Sequence, residues 1–190
     1  NHNDQTLRVI TNIEKRHPNF NGLNLSWESL EGIVKHNGKI LKEIPFHTKK
    51  YNKIHDLELN FNPHLESQIA AISDDVAYNN HDVEDSIRAG LINLDSLKEL
   101  DYFKILIEEL NFIFPNIKKN ILTYQILRKS ISNMINDIID NTKKNIIENN
   151  ISSINDVKNY SSFLVSMSDK MKKDCIEISS FLHKNVYNHP

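Results

Sequence analysis

Apolar residues recur every three or four positions over three long segments, residues 65–88, 117–149 and 168–187. This is the spacing of an amphipathic helix, whose apolar side chains share one face at 3.6 residues per turn. The clearest stripe is Leu65, Ile69, Ile72, Val76, Val83 and Ile87, after which Ala89-Gly90 ends the segment. These three periodic segments predict an all-α fold.

Shorter helices are predicted in the rest of the chain from their start and stop signals. Residues 4–16 carry apolar positions on one face, and a proline follows. Ser26 is a suitable N-cap, and Asn37-Gly38 a suitable stop, for a second short helix. Ser96 and Glu99 have the spacing of a capping box, which opens a helix closed by Pro115.

Residues 39–64 show no sustained periodicity and contain Pro45 and Pro63. We predict one long irregular loop region here, with a short extended piece at 57–59. Long ordered loops inside helical domains are often functional.

Composition limits the function classes that need to be considered. The chain has 190 residues, 39% of them hydrophobic and 25% charged, with a net charge of −2. That length suits one domain or a large piece of one. A slightly acidic chain has no general attraction for nucleic acid or anionic membranes, and its paired lysines are typical of solvated helix ends. No apolar run approaches the length of a membrane span.

Cys175 is the only cysteine, which excludes an intrachain disulfide and a thiolate zinc cluster. On a helical stretch it is expected to be a small core residue. The absence of a signal peptide at the start favours a reducing cytoplasm. The chain also lacks an initiator methionine and stops without a tail, so both ends are expected to be cut.

The segment 72–82 carries the most informative polar pattern. Asp74, Tyr78 and Asp82 follow each other at intervals of four and therefore lie along one side of the predicted helix, opposite the apolar stripe. Two carboxylates and a phenol in a row can provide a metal ligand and two substrate contacts. The alternative is an ordinary solvated face, although a surface helix more often carries Lys or Glu at such positions.

Other candidate residues have simple structural explanations. The pairs His55-Asp56 and His81-Asp82 are interpreted as non-ligand pairs, because a divalent metal needs further ligands beside them. The simple explanation of His2 is that it is a disordered histidine at the terminus. Lys35-His36 precede a helix stop, where the helix dipole favours cations. Trp27 is expected to be a buried anchor.

Taken together, several motifs resemble the deoxyguanosine triphosphate triphosphohydrolase-like proteins of the HD superfamily. The resemblance runs through essentially the whole chain in the same order. The motifs are HNDQTLR (2–8), GLNLSWESLEGIVKHNG (22–38), HDLE (55–58), LESQIAAISDDVAYNNHD (65–82) and YNHP (187–190).

The resemblance implies an all-helical, HD-superfamily-like hydrolase that cleaves a deoxynucleoside triphosphate to deoxynucleoside and triphosphate. By the same resemblance, Asp74 is a metal ligand, and Tyr78 and Asp82 line the deoxyribose and bind its 3′-hydroxyl. His2 is implied as the active-site histidine near the phosphates. Lys35 and His36 are expected among the substrate-binding residues, in a motif that borders the pocket.

The chain departs from the family pattern in one large respect. The family's early His, its His-Asp pair and a further catalytic His all precede the point where this chain starts. The divalent metal implied by the resemblance, Mg²⁺ or Mn²⁺, is therefore not expected to be held by this chain alone. We expect an incomplete domain, with 1–90 as the second half of the HD catalytic region and 91–190 as the associated helical region.

These expectations leave two function classes open. The first is dNTP hydrolysis, for which this chain alone is expected to be inactive. The second is a non-catalytic remnant or helical assembly module that acts with an HD-bearing chain. The partners expected are therefore a dNTP, and either a second copy of the chain or an HD-bearing chain. Neither a membrane nor nucleic acid is expected as a partner.

Overall fold

The computed structural model describes residues 2–188, and helices dominate this part of the chain. It contains no β-strand; only an isolated bridge joins Lys15 and Gly22. The all-α prediction is confirmed. The helices are α1 (His2–Arg8), α2 (Trp27–Val34), α3 (Phe46–Asn52), α4 (Leu65–Arg88), α5 (Leu94–Leu97), α6 (Asp101–Ile113), α7 (Lys119–Glu148), α8 (Ile154–Asn159) and α9 (Asp169–Leu182).

The long periodic segments form helices close to their predicted limits. Helix α4 has the predicted bounds, and Gly90 follows it with a positive φ of 74°. Helix α7 lies within the predicted segment 117–149. The hydroxyls of Ser26 and Ser168 accept hydrogen bonds from backbone N–H groups in the first turns of α2 and α9, as N-caps do. Along α4, Val76 and Val83 are buried, whereas Ile69 is exposed.

Helix α1 ends earlier than the predicted residue 16. It continues into a π-helical turn at Val9–Ile13, and the chain then becomes extended at Glu14. Gly22 is required where the chain passes back against this π-helical turn. It has a φ of 81°, and a Cβ there would lie 2.5 Å from the Ile10 carbonyl oxygen. The close return of the chain therefore depends on a glycine.

Helix α3 lies inside the segment that was predicted to be irregular, which makes that prediction wrong for residues 46–52. The usual local start signal is missing, because the N-cap residue Pro45 makes no side-chain cap. The cap comes from α1, where the Asp4 carboxylate accepts hydrogen bonds from the Thr48 N–H at 2.7 Å and the Thr48 hydroxyl at 2.8 Å. A cap supplied from 44 residues away leaves no trace in a local pattern.

Two further sequence predictions are corrected, and one helix was missed. The piece at 57–59 is buried but forms no strand. The capping box belongs to Asn93 and Ser96, which open α5, so Ser96 is the third helical residue rather than the cap. Helix α8 was not predicted, although Ser153 and Asp156 form a second capping box at its start. A short helix has too few residues for its apolar periodicity to stand out.

The chain divides into two compact units. The first unit contains residues up to 72 together with 145–165, and the second contains 73–144 together with the residues from 166 onward. Helices α4 and α7 contribute residues to both units. Each unit is described by itself below.

The first unit has an apolar cluster in which α1 and α2 meet the segment 57–59. Its buried members are Leu7, Leu30, Val34, Leu57 and Leu59, with Trp27 packed against them. Beside this cluster lies a buried ion pair between Lys35 and Glu31, both essentially inaccessible to solvent. Burial lowers the pKa of Lys35, and the Glu31 carboxylate opposes that shift.

Lys35 also fastens an irregular segment to α2. Its ammonium donates hydrogen bonds to the carbonyl oxygens of Glu58 at 3.0 Å and Phe61 at 3.2 Å. Two buried amides act similarly on loop backbone: Asn62 donates to the Tyr160 carbonyl at 2.6 Å, and Gln68 accepts from the Leu164 N–H at 2.9 Å. Buried polar side chains therefore satisfy the backbone of segments that have no helical hydrogen bonds of their own.

The second unit is built around apolar side chains of α6, α7 and α9, among which Phe103, Met134 and Ile178 are almost completely buried. The Tyr102 hydroxyl donates to the Ser130 carbonyl at 3.1 Å, and burial raises the pKa of Tyr102 to about 12. Cys175 is half-buried, and burial raises the pKa of its thiol to about 11. A thiol that stays protonated at neutral pH is a poor nucleophile.

We expect Lys35→Met to lower the free energy of unfolding of the first unit by about 3–5 kcal/mol, because it leaves the Glu31 carboxylate buried without its cation. The measurement is urea unfolding followed by circular dichroism and by the fluorescence of Trp27. In the double variant Glu31→Leu/Lys35→Met, part of the loss is recovered, since no charge is left unpaired.

Lys39→Met is the matched control for this prediction, because Lys39 donates to a single loop carbonyl, that of Tyr160 at 3.1 Å. A Lys35→Met variant as stable as Lys39→Met would contradict the structural role given to the buried pair.

Candidate functional site

The polar stripe predicted from the sequence lies on α4, in the part that belongs to the second unit. Asp74 and Tyr78 are exposed, and the tyrosine keeps 60% of its surface in contact with solvent. Asp82 is partly buried. Successive members of the stripe are four residues apart, so the helix carries all three along one side.

A fourth residue, Tyr187, joins this stripe. Helix α9 continues into a π-helical turn at His183–Tyr187. From the end of that turn the Tyr187 hydroxyl donates a hydrogen bond to Asp82 Oδ2. Its ring packs edge-on against the His183 ring, with 4.9 Å between the centroids. Two phenols and a carboxylate are thereby brought together.

The pKa of the Tyr187 phenol is raised, although the residue keeps 41% of its surface in contact with solvent. Burial raises the pKa of Tyr187, and its hydrogen bonds with Asp82 and Tyr78 and the Asp82 charge raise it further. Since Tyr187 occupies only Oδ2, the other carboxylate oxygen of Asp82 has no partner among residues 2–188. The cluster therefore offers an anionic acceptor flanked by two aromatic rings. It is suited to bind a hydroxyl donor attached to a flat, partly apolar group.

Tyr187 was not predicted as a site residue. It belongs to the YNHP motif that carried part of the resemblance, but no helical spacing links it to α4, which is about a hundred residues away. The last two residues of that motif, His189 and Pro190, lie outside the described residues. Only the tertiary contact with Asp82 reveals its place.

The remaining predicted site residues lie in the first unit. His2 begins α1 with an exposed side chain, and its carbonyl accepts a hydrogen bond from the Thr6 hydroxyl at 3.0 Å. Lys35 is fully buried, and its ammonium is directed at Glu31 and at loop carbonyls. His36 is half-buried in the turn that follows α2.

The two His-Asp pairs belong to different units. His55 and Asp56 are exposed in the turn after α3, where the Asp56 carboxylate accepts from the Glu58 N–H at 2.9 Å. His81 is exposed on α4, and its Nδ1 lies 4.0 Å from a carboxylate oxygen of Glu84. Across residues 2–188, no group of three or more His, Cys, Asp or Glu side chains is arranged to hold a metal ion.

Comparison with known proteins gives one consistent result. The deoxyguanosinetriphosphate triphosphohydrolase-like protein of Rickettsia rickettsii (strain Iowa) is 44% identical over 186 residues, covering 98% of this chain and 48% of that protein. Proteins of the same name from Rickettsia prowazekii (strain Madrid E) and Rickettsia canadensis (strain McKiel) are 43% and 42% identical over the same length. Over nearly its whole length, the chain is therefore similar to proteins named deoxyguanosinetriphosphate triphosphohydrolase-like protein.

The family prediction made from the motifs is therefore confirmed. The chain spans about half the length of the curated relatives that it matches. No family model matches the chain. Within the described residues, none of the helices is both long and apolar enough to cross a membrane.

We expect Tyr187→Phe to lower the free energy of unfolding of the second unit by about 1 kcal/mol, the usual contribution of one hydrogen bond. The pKa of Tyr187 is raised on folding, so its stabilising effect is complete below the phenol's unfolded value of about 10 and is lost as pH rises through the folded value. Urea unfolding between pH 8 and pH 11 measures both effects.

The variant should lose less stability than the wild-type chain over the alkaline part of this range. Tyr124→Phe, which removes the hydroxyl of an exposed tyrosine on α7, is the control. Equal alkaline losses in the wild-type chain and the Tyr187→Phe variant would show that the Tyr187 bond to Asp82 is not stabilising.

Proposed function

We propose that the chain supplies the deoxyribose-binding part of a deoxynucleoside triphosphate triphosphohydrolase. The complete enzyme would release deoxynucleoside and triphosphate. The observation that supports this most is the joining of Asp82, Tyr78 and Tyr187 in one cluster, on a chain whose relatives are named triphosphohydrolase-like proteins. It supports a sugar site more than a phosphate site, because the cluster offers an acceptor and aromatic rings rather than cations.

The proposed contacts follow from the chemistry of these groups. The free carboxylate oxygen of Asp82 would accept a hydrogen bond from the 3′-hydroxyl of the sugar. Tyr78, which is exposed beside it, would pack against the 2′-carbon and leave no room for a ribose hydroxyl. A site that cannot pair an extra buried hydroxyl discriminates against the molecule that carries it. Tyr187 would hold Asp82 in place.

The other predicted site residues have less direct support. We propose Asp74 as one ligand of a divalent metal, Mg²⁺ or Mn²⁺, and His2 as the histidine near the phosphates. Such a metal ion would polarise the phosphate and so make its phosphorus atom easier for water to attack. The described residues alone do not form such a metal site, so we assign no hydrolytic step to this chain by itself. Lys35 and His36 are proposed as residues of the substrate-binding motif, with Lys35 fully buried within it.

We expect the isolated chain to release no triphosphate from dGTP with Mn²⁺ or Mg²⁺, and yet to bind deoxyguanosine. Binding should be weaker for guanosine, which adds the 2′-hydroxyl, and for 2′,3′-dideoxyguanosine, which lacks the donor to Asp82. Equilibrium dialysis with labelled nucleosides measures the binding, and chromatography of the products measures turnover.

Asp82→Asn should weaken deoxyguanosine binding about tenfold, as expected for the loss of a hydrogen bond to a charged group. Asp85→Asn, an exposed substitution three residues further along α4, is the matched control. Sustained turnover by the isolated chain would refute its proposed inactivity. Equal nucleoside binding by the two variants would refute the sugar site.

A specific observation also favours the second candidate function, a helical assembly module. At the junction between α6 and α7, Phe112, Ile113 and Phe114 are all exposed, and Phe112 keeps 87% of its surface in contact with solvent. A groove of about 570 Å³ beside them is lined by Ile117 and Ile121. Large contiguous apolar surface of this kind marks interaction sites. We propose that an HD-bearing chain covers it, with a second copy of this chain as the alternative.

We expect Phe112→Ser to weaken binding of the isolated chain to the portion of the Rickettsia rickettsii relative that this chain does not match by at least tenfold. The reason is that the substitution removes the apolar contact that the Phe112 ring would make. Analytical ultracentrifugation of the mixture, and of the chain alone, separates hetero-assembly from self-association. Ile147→Ser, at an exposed position on α7, is the control. Equal association of both variants would rule out the junction as the interface.

Two expectations remain predictions. One is the division into a second half of the HD catalytic region at 1–90 and an associated helical region at 91–190. The other is a cytoplasmic location.

A further inference from the structure

The first unit contains a cavity of about 710 Å³ that none of the proposed sugar contacts uses. It opens between the start of α2, the start of α4 and the segment that contains α8. Its volume falls within the range typical of sites for small molecules. The cavity lies wholly within one compact unit, so its shape depends only on residues of that unit.

The walls of this cavity are mainly apolar. Leu65, Ile146, Ile151 and Val157 form much of the lining. Trp27 adds an aromatic wall, and its orientation is fixed because its indole N–H donates to the Asp56 carbonyl at 2.7 Å. A pocket with apolar walls and a fixed aromatic ring suits a compact apolar or aromatic group.

The exposed charges at the cavity are negative. Glu28 and Glu66 both line it and are exposed. Hydrogen bonds from their own backbone N–H groups lower the pKa of each carboxyl, with further lowering by Ser26 at Glu28 and by His64 at Glu66. Both side chains are therefore ionised at neutral pH.

The other ionisable groups of the lining are already paired. Lys158 lies 2.5 Å from a Glu58 carboxylate oxygen and 5.4 Å from the centre of the Trp27 ring. Glu31 is buried against Lys35, behind His64. Glu28 and Glu66 therefore remain at the mouth without an ammonium partner, Glu66 having only the His64 ring beside it, and the described lining residues include no unpaired ammonium group to offset them.

His64 organises this mouth. Its Nδ1 lies 3.0 Å from a Glu66 carboxylate oxygen, and its Nε2 lies 3.0 Å from the Glu28 carbonyl. The ring thus holds the start of α4 against α2 and contacts the Glu66 carboxylate.

We propose that this cavity binds an organic ammonium ion, with the apolar body of the ligand against the isoleucine and tryptophan walls and its ammonium group between Glu28 and Glu66. Charge complementarity selects this ligand class, because the same pocket would repel a carboxylate or phosphate of equal size. The chain already places one ammonium over the Trp27 ring, that of Lys158, which shows that the aromatic wall accepts a cation. The inference does not depend on the proposed nucleotide function.

The test uses the single tryptophan of the chain as its reporter. The full chain is titrated with 2-phenylethylamine while the Trp27 emission is recorded, and the matched probes are 2-phenylethanol and 3-phenylpropionate. We expect a saturable change with the amine, binding about tenfold weaker with the alcohol, and no saturable change with the carboxylate. No saturable change with the amine, or equal binding of the amine and the carboxylate, would overturn the proposal.

Variants distinguish binding in the cavity from nonspecific binding elsewhere on the chain. Glu28→Gln/Glu66→Gln should weaken amine binding about tenfold and leave binding of the alcohol unchanged. Glu108→Gln, an exposed substitution in the second unit, should change neither. Circular dichroism confirms that each variant is folded. As a second readout, amide shifts in the ¹⁵N spectrum should centre on residues 27–31, 64–66 and 151–158, and shifts centred elsewhere would also overturn the proposal.

Discussion

The first unit depends on one charge that has been removed from water. The Lys35 ammonium is completely buried, and a buried cation is tolerated only when all its hydrogen bonds are made. Here the Glu31 carboxylate and loop carbonyls make them. The backbone of a segment without regular structure is thereby tied to a helix, and the apolar residues Leu57 and Leu59 are carried into the core by the same segment. The irregular region is ordered because it satisfies this charge.

The same polar framework links the core to the surface. Glu31, which pairs with Lys35, also lies 3.5 Å from His64 Nε2, and His64 holds the mouth of the cavity in the first unit. Lys35 belongs to a motif that the sequence suggested for substrate contact, but the groups around its ammonium are ones that hold the fold together. A resemblance in sequence does not distinguish a residue that touches a ligand from one that holds the wall behind it.

Elements whose determinants are local could be predicted from the sequence, and others could not. Helix α4 was predicted with its observed ends because its apolar spacing and its closing Gly90 lie within one segment. Helix α3 was missed because its cap, Asp4, comes from another helix. The candidate site divides in the same way. Asp74, Tyr78 and Asp82 follow from helical spacing, whereas Tyr187 reaches Asp82 only through the tertiary fold.

The remote cap of α3 has a consequence for how the chain acquires its structure. A seven-residue helix is too short to persist in water by itself, because the cost of its first turn is not repaid over so few residues. Docking of α1 brings the Asp4 carboxylate to the first N–H groups of α3. The two helices should therefore become ordered in a single cooperative step. Amide exchange in residues 46–52 would therefore report the attachment of a helix that begins at residue 2.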